Sequence, residues 1–285
     1  MTNNLEYMDH VIALGIRNGF GDDVLKISGV KLALDSMGSM GNAATYEPCT
    51  GNPDSLGILL MTPEKITELI VKAHKAGLQT STHSIGDRAI DLNLNAIEKA
   101  LQEYPQEDHR HRIEHCTLCK PAQLRRIKAL GVHPSESNYI WNFGDAYKYQ
   151  FGEERSNWLY PYQSFIEYGI IASANSDYGG GPWHGNPLTG IYSMVTRRTE
   201  GGDVLGESQA VSIKDAIRAY TYNGAYAAFD EEKLGSIEPG KLADMIVLSD
   251  DILSIPLDKI TETEVLITIM SGKIVYRKDA EDTPS

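Results

Sequence analysis

The stretch LQTSTHSIGDRAIDLNLNAIEKALQEYPQEDHRHRIEHC, residues 78–116, decides the fold. A short apolar run reaches His83 and breaks into the polar turn Ser84-Ile85-Gly86. A helical pattern follows over 87–104, with Ala89, Leu92, Leu94, Ile97 and Leu101 as its apolar positions. A second short run, 111–116, then ends at His115. A strand, a helix of that length and another strand predict a parallel pair joined by a crossover helix.

The same unit recurs on both sides. VLKISGVKLAL (24–34) reads as a strand, and Thr62 caps a helix that starts with Pro63 and ends at Gly77. Strand 111–116 leads to a helix over 122–130, closed by Gly131. Strand 132–138 leads to a long aromatic loop, a helix over 161–168 and strand 170–176. Residues 36–61, rich in glycine, read as a long loop of the kind that covers binding sites. After a helix over 213–228 the style changes. Pro239-Gly240 suits a turn, 242–248 a strand, and 265–270 with 273–277 a hairpin about Ser271-Gly272. The expected fold class is α/β: a partial (β/α)8 barrel, about strands four to eight, over 1–233, with a small C-terminal β-sandwich segment over 234–285.

Net charge is −13, from 26 basic and 39 acidic residues, which opposes binding to nucleic acid or an anionic membrane. No apolar run is long enough to span a bilayer, and no signal peptide is visible at the start, so a cytoplasmic location is expected. Cys49, Cys116 and Cys119 are too few and too odd for a disulfide framework. Cys116 and Cys119 form one C-x-x-C, read as local packing, since no second ligand pair stands at zinc-site spacing.

The chemistry-bearing residues fall in phase with the strands. His115 follows His83 by 32 residues, one β/α unit, and Asp177 follows His115 by 62, about two. A closed barrel brings such strand ends onto one rim, where active sites form. Neutral imidazoles and carboxylates suit zinc and similar divalent ions. Asp177 is the candidate general base, and otherwise an aspartate capping its glycine loop. Lys31, inside GVKLALD, must snorkel, pair with Asp35, or serve as a carbamate bridge or substrate contact. Glu114, next to His115, is expected on the opposite face, paired with Arg112 outside the lumen. Asp87 is expected to cap its helix. Tyr139 and Trp141, in an aromatic stretch that runs to Tyr162, and His184, in GGGPWHGNP, are candidate substrate contacts. His74 and His109 are expected at the surface, and His133 is expected to pack.

The segments VKLALDSMGSMGNAATYEP (30–48), THSIGDRAID (82–91), HRIEHC (111–116), SANSDYGG (173–180) and GSIEPGKLADMIVL (235–248) together resemble the amidohydrolase superfamily. The branch is that of the YtcJ-like enzymes and N-substituted formamide deformylase. The resemblance implies a distorted barrel with one or two divalent metal ions, zinc above all, at the rim. It also implies hydrolysis of amide-type C–N bonds in a small molecule by a metal-activated water. His83 and His115 become metal ligands, Asp177 the acid–base beside the metal, and Lys31 a bridging ligand. The family's H-x-H from the first strand has no counterpart before Lys31, and Asp35-Ser36 stands in place of the usual Asp-Gly. An N-terminal partner chain, a second copy of this chain or rearranged local segments is therefore expected to cover the open arc. The other reading is a truncated relative that assembles or binds a ligand without catalysis.

Overall fold

The computed structural model describes residues 5–137, 140–178 and 185–278. Helix α1 (Leu5–Ala13) precedes a two-stranded ribbon, β1 (Phe20–Gly21) and β2 (Lys26–Ile27). The apolar run 24–34 is thus divided, and its second half is β3 (Gly29–Ala33). Then come α2 (Pro63–Lys75), β4 (Gln79–Ser84), α3 (Asp87–Glu103), β5 (Arg112–His115), α4 (Pro121–Leu130) and β6 (His133–Ser137). Helices α5 (Ile140–Ser156) and α6 (Tyr162–Glu167) lead to β7 (Ser173–Asn175). Helices α7 (Pro187–Thr196), α8 (Ile213–Tyr220) and α9 (Tyr222–Ala227) precede β8 (Met245–Leu248), β9 (Val265–Met270) and β10 (Lys273–Arg277).

Strands β3-β4-β5-β6-β7 form one parallel sheet in chain order, the signature of successive right-handed crossovers. Its outer face meets the helices. Leu32 and Ile113 point there, against Ile66, Leu69 and Ile70 of α2 and Ile90, Leu94 and Ile97 of α3, all 4% exposed or less. Helix α2 begins as its sequence requires: Thr62 Oγ1 accepts the Lys65 amide at 3.2 Å, Pro63 fills the first turn, and Gly77 leaves with φ 73°.

The stretch expected as a long aromatic loop is largely helix α5, broken at Gly152 (φ 74°, ψ 172°). The predicted helix over 213–228 is two helices, divided at Thr221. The tail forms a separate antiparallel sheet, β10-β9-β8, with Ser271 and Gly272 both at positive φ in the hairpin turn, as a two-residue connection requires. The end of α9 and the segment after it pack at the N-terminal end of the parallel sheet. Arg110 pairs with Glu231 at 2.7 Å and lies over the Tyr226 ring, Lys26 pairs with Asp230, and Gln79 Nε2 donates to Ala227 O at 2.9 Å. Among the described residues no helix is long and apolar enough to cross a membrane.

Candidate active site

Register sets the site. Ala33, His83, Glu114 and Ser135 lie on one level of the sheet, and Lys31, Ser81, Arg112 and His133 on the next level below. Side chains two residues apart share a face. The intervening residues belong to the helix side: Leu32 and Ile113 are core, and Ser84 accepts from Asn93 of α3 at 3.3 Å. The lumen side is therefore polar apart from Gly29 and Ala33. It is knit by hydrogen bonds from Ser81 Oγ to Glu114 at 2.8 Å, between His133 Nε2 and Ser173 Oγ at 2.9 Å, and from Asn175 to Ser135 at 3.1 Å.

Glu114 corrects one expectation. It pairs with Arg112 at 2.7 Å, but on the lumen side, level with His83. Strict alternation would then send His115 to the helix side. Its backbone avoids this with φ 72°, followed by Cys116 at φ 42°. The His115 ring swings inward and packs edge-on against the His83 ring, with centroids 4.4 Å apart. A left-handed backbone at a non-glycine residue costs about 1–3 kcal/mol and persists where its surroundings over-determine it. Asp177 is also left-handed, at φ 45°, one turn beyond β7, with its amide donating to Asn175 Oδ1 at 3.0 Å.

Electrostatics keep both rings neutral. Burial pushes His83 down to about 3, helped by His115 and Lys31 and opposed by Asp177 and the Ser36 backbone. Burial likewise pushes His115 down to about 4, again with Lys31. Lys31 is reached by solvent through the open lumen, yet the surrounding protein lowers it below the usual lysine range, against the pull of Glu114. Two neutral imidazoles at one rim fit a divalent cation in kind. Among the described residues, however, no three His, Cys, Asp or Glu side chains converge closely enough to hold one.

Other expected residues fall as follows. Trp141 packs edge-on to Tyr192 of α7, with centroids 5.4 Å apart. Tyr139 and His184 lie outside the described residues. Asp87 is the first residue of α3 rather than its cap. Its carboxylate takes the Tyr46 amide at 3.0 Å and the Lys120 ammonium at 2.6 Å, tying the glycine-rich loop to α3 and α4. Asp35 accepts three backbone amides and stands 3.6 Å from His83 Nε2. Tyr147, one of the aromatic stretch that runs to Tyr162, is buried, bonds to Tyr160 at 3.0 Å and packs near Gly38; its phenol is pushed up to about 12 by burial, with Asp35 and Asp177 adding.

His74 and His109 are buried, contrary to the surface expected for them. With His111 they form a closed relay. The Thr80 amide donates to His111 Nδ1 at 3.0 Å, so His111 Nε2–H donates to His74 Nδ1 at 2.9 Å, and His74 Nε2–H to Tyr104 O at 2.6 Å. The His111 amide donates to His109 Nδ1 at 2.9 Å, and His109 Nε2–H donates to Leu130 O at 2.7 Å. Six ring nitrogens are satisfied by neutral tautomers, which marks a structural cluster.

The parallel β/α arc carries two histidines and an aspartate at its C-terminal rim, the face on which barrel enzymes build their sites. The amidohydrolase family profile matches residues 2–276, and the chain belongs to that family. It is similar to Protein LONG AFTER FAR-RED 3 of Arabidopsis thaliana (32% identical; 88% of this chain, 43% of that protein). It is also similar to putative amidohydrolase YtcJ of Bacillus subtilis (29%; 89% and 49%) and to N-substituted formamide deformylase of Arthrobacter pascens (29%; 78% and 41%). The solved structure of an uncharacterized metal-dependent hydrolase from Pyrococcus horikoshii superposes with TM-score 0.78 at 29% identity, covering 89% of this chain and 50% of that one. The chain thus spans half or less of the length of these relatives.

Proposed function

We propose that this chain supplies the rim of a metal-dependent hydrolase acting on amide-type C–N bonds of a small molecule. The observation that carries the reading is the pair of neutral imidazoles, His83 and His115, turned toward each other at the strand ends of an amidohydrolase-family arc. They are assigned as ligands of a divalent ion, zinc by the preference of imidazole donors. Such an ion, when bound, acidifies a water and polarises a carbonyl. Asp177 would then accept that water's proton and return it to the leaving nitrogen. Lys31, with its ammonium already disfavoured, would serve as a further ligand once its amine had added carbon dioxide and lost a proton to become a carbamate. Tyr139, Trp141 and His184 are assigned to the substrate side. The remaining ligands come from strands outside these residues, whether of the same polypeptide, of a partner polypeptide bearing H-x-H or of a second copy of this chain. Three unpaired cysteines suit the reducing cytoplasm.

Co-expression with an H-x-H-bearing partner tests this. The complex should hold stoichiometric zinc and hydrolyse members of an N-substituted amide panel, and His83→Asn should abolish both. A second reading is a non-catalytic relative that assembles or binds a ligand, favoured by the lack of a converging third ligand among the described residues. Metal analysis of the purified chain alone, and of the complex, separates the two: a complex free of metal leaves only the second.

A further inference from the structure

Asp35 stands two residues past Ala33, on the lumen side of β3, and is 1% exposed. Its Oδ1 accepts the Ile85 amide at 3.0 Å, and its Oδ2 accepts the amides of Gly86 at 2.9 Å and Ala44 at 3.0 Å. One carboxylate thus joins the turn that follows His83 to the glycine-rich loop. The two backbones meet closely enough that a Cβ at Gly86 would lie 1.9 Å from Ala44 O.

His83 Nε2 faces this carboxylate. It lies 3.6 Å from Oδ1, longer than a hydrogen bond, and it is occluded from solvent with no other hydrogen-bond partner. An occluded ring nitrogen carries either a lone pair or a proton. A lone pair directed at a carboxylate oxygen is repelled, and an N–H is attracted, strongly so away from water. Burial pushes the Asp35 carboxyl up to about 7 and the three amide donors offset part of that, so it is the acceptor-only carboxylate at pH 8.5.

We propose that Asp35 is a positioning residue for His83, holding its imidazole in the Nε2–H tautomer so that Nδ1 carries the ring's available electron pair. The tautomer is a property of this chain alone; its use in metal capture rests on the function proposed above. The same carboxylate anchors the turn immediately after His83, so ring direction and backbone position are set by one group.

The test is long-range ¹H–¹⁵N correlation NMR of the full chain at pH 8.5, which distinguishes bare from protonated ring nitrogens, with the His83 signals assigned by their loss in His83→Asn. The wild type should show Nε2 protonated. In Asp35→Asn the amide oxygen is best used on Ala44 and Gly86, which turns the NH2 toward His83 and makes Nε2 an acceptor. The tautomer should then move to Nδ1–H, with far-UV circular dichroism and a cooperative melt confirming the fold. A wild-type Nδ1–H tautomer, or an unchanged tautomer in folded Asp35→Asn, overturns the proposal. If Asp35→Asn does not fold, the wild-type tautomer decides alone. Zinc titration of the complex with the H-x-H-bearing partner reads the consequence. Asp35→Asn should weaken uptake at least about tenfold, the usual effect of losing a group that orients a ligand, and an unchanged affinity overturns the positioning role. Equal zinc uptake by wild type and His83→Asn instead overturns the metal site, while the tautomer still decides the role of Asp35.

Discussion

Single residues carry the polarity that makes this arc a candidate site, and they also set its response to pH. The relay of His74, His109 and His111 uses every ring nitrogen in a neutral tautomer, so a proton on His111 Nδ1 would face the Thr80 amide donor. Burial holds His109 and His111 below the ordinary histidine value, first by desolvation and then by mutual repulsion. Above about pH 6.5 folded and unfolded chains are both unprotonated there, and the relay's stability is fully present. Below that value the unfolded chain takes up protons that the folded one refuses, so stability falls as pH falls. Urea midpoints measured between pH 8 and 5 should drop in the lower half of that range. His111→Gln should reduce the slope by up to about 1.4 kcal/mol per pH unit, one proton's worth. At Asp177 the expected effect is on rate rather than stability. Asp177→Asn in the complemented enzyme should lower kcat by roughly 10²–10⁴, the span of acid–base catalysis, with the melt unchanged. The strand-end positions of His83, His115 and Asp177 were legible because each ends an apolar run in a polar loop. The inward turn of His115 was not, because it depends on a left-handed backbone that alternation alone does not foresee. Buried His74 and His109 escaped for a related reason: their burial depends on partners in other elements, which hydrophobic periodicity does not encode.

At the scale of elements, the strand–helix alternation was readable wherever apolar spacing was clean, as in α2 and α3. It failed over 140–156, where aromatic residues and Gly144 and Gly152 blur the 3.6-residue period, and tertiary packing supplies what local pattern lacks. Tyr147 and Phe151 stack at 5.8 Å and close over Gly38, whose missing Cβ would stand 2.7 Å from the Tyr147 ring. The turn between β4 and α3 is the most constrained connection near the site. Gly86→Ala would drive a methyl into Ala44 O, so the glycine-rich loop must move off Asp35. The expected cost is roughly 1–3 kcal/mol, as for other overpacked sites, read as a lower melting midpoint. Protease cleavage within 36–61 should become faster at the same time. Thr62→Ala tests a different element by a different mechanism. Losing the bond to the Lys65 amide should cost about 1 kcal/mol without altering metal uptake, since α2 lies on the helix side of the sheet.

For the whole molecule, the question is what the open arc is built to meet. Strands β3 and β7 each pair with one neighbouring strand only among the described residues, so the sheet has two edges. The lumen face between them is polar, so water can wet it, and the helix-side core can form without a closed barrel. The separate tail sheet is less self-sufficient: Ile246, Met270, Ile274, Val275 and Tyr276 are about half exposed. Two sheet edges and an apolar sheet surface on one chain are the features that added strands would cover. If the completing strands come from a partner bearing H-x-H, light scattering on the co-expressed pair should give a one-to-one complex in which each chain protects the other from proteolysis. Linkage then predicts the thermal shift: a partner present at 100 times its Kd stabilises by about 2.7 kcal/mol, so the melting midpoint must rise with partner concentration. Zinc should add a further increment only in the complex, and His115→Asn should remove that increment while leaving the association intact, because His115 faces the lumen rather than an edge. A chain that melts at the same temperature with and without the partner, and elutes as a stable monomer at every concentration, would show the arc to be closed by its own segments and the partner reading to be wrong.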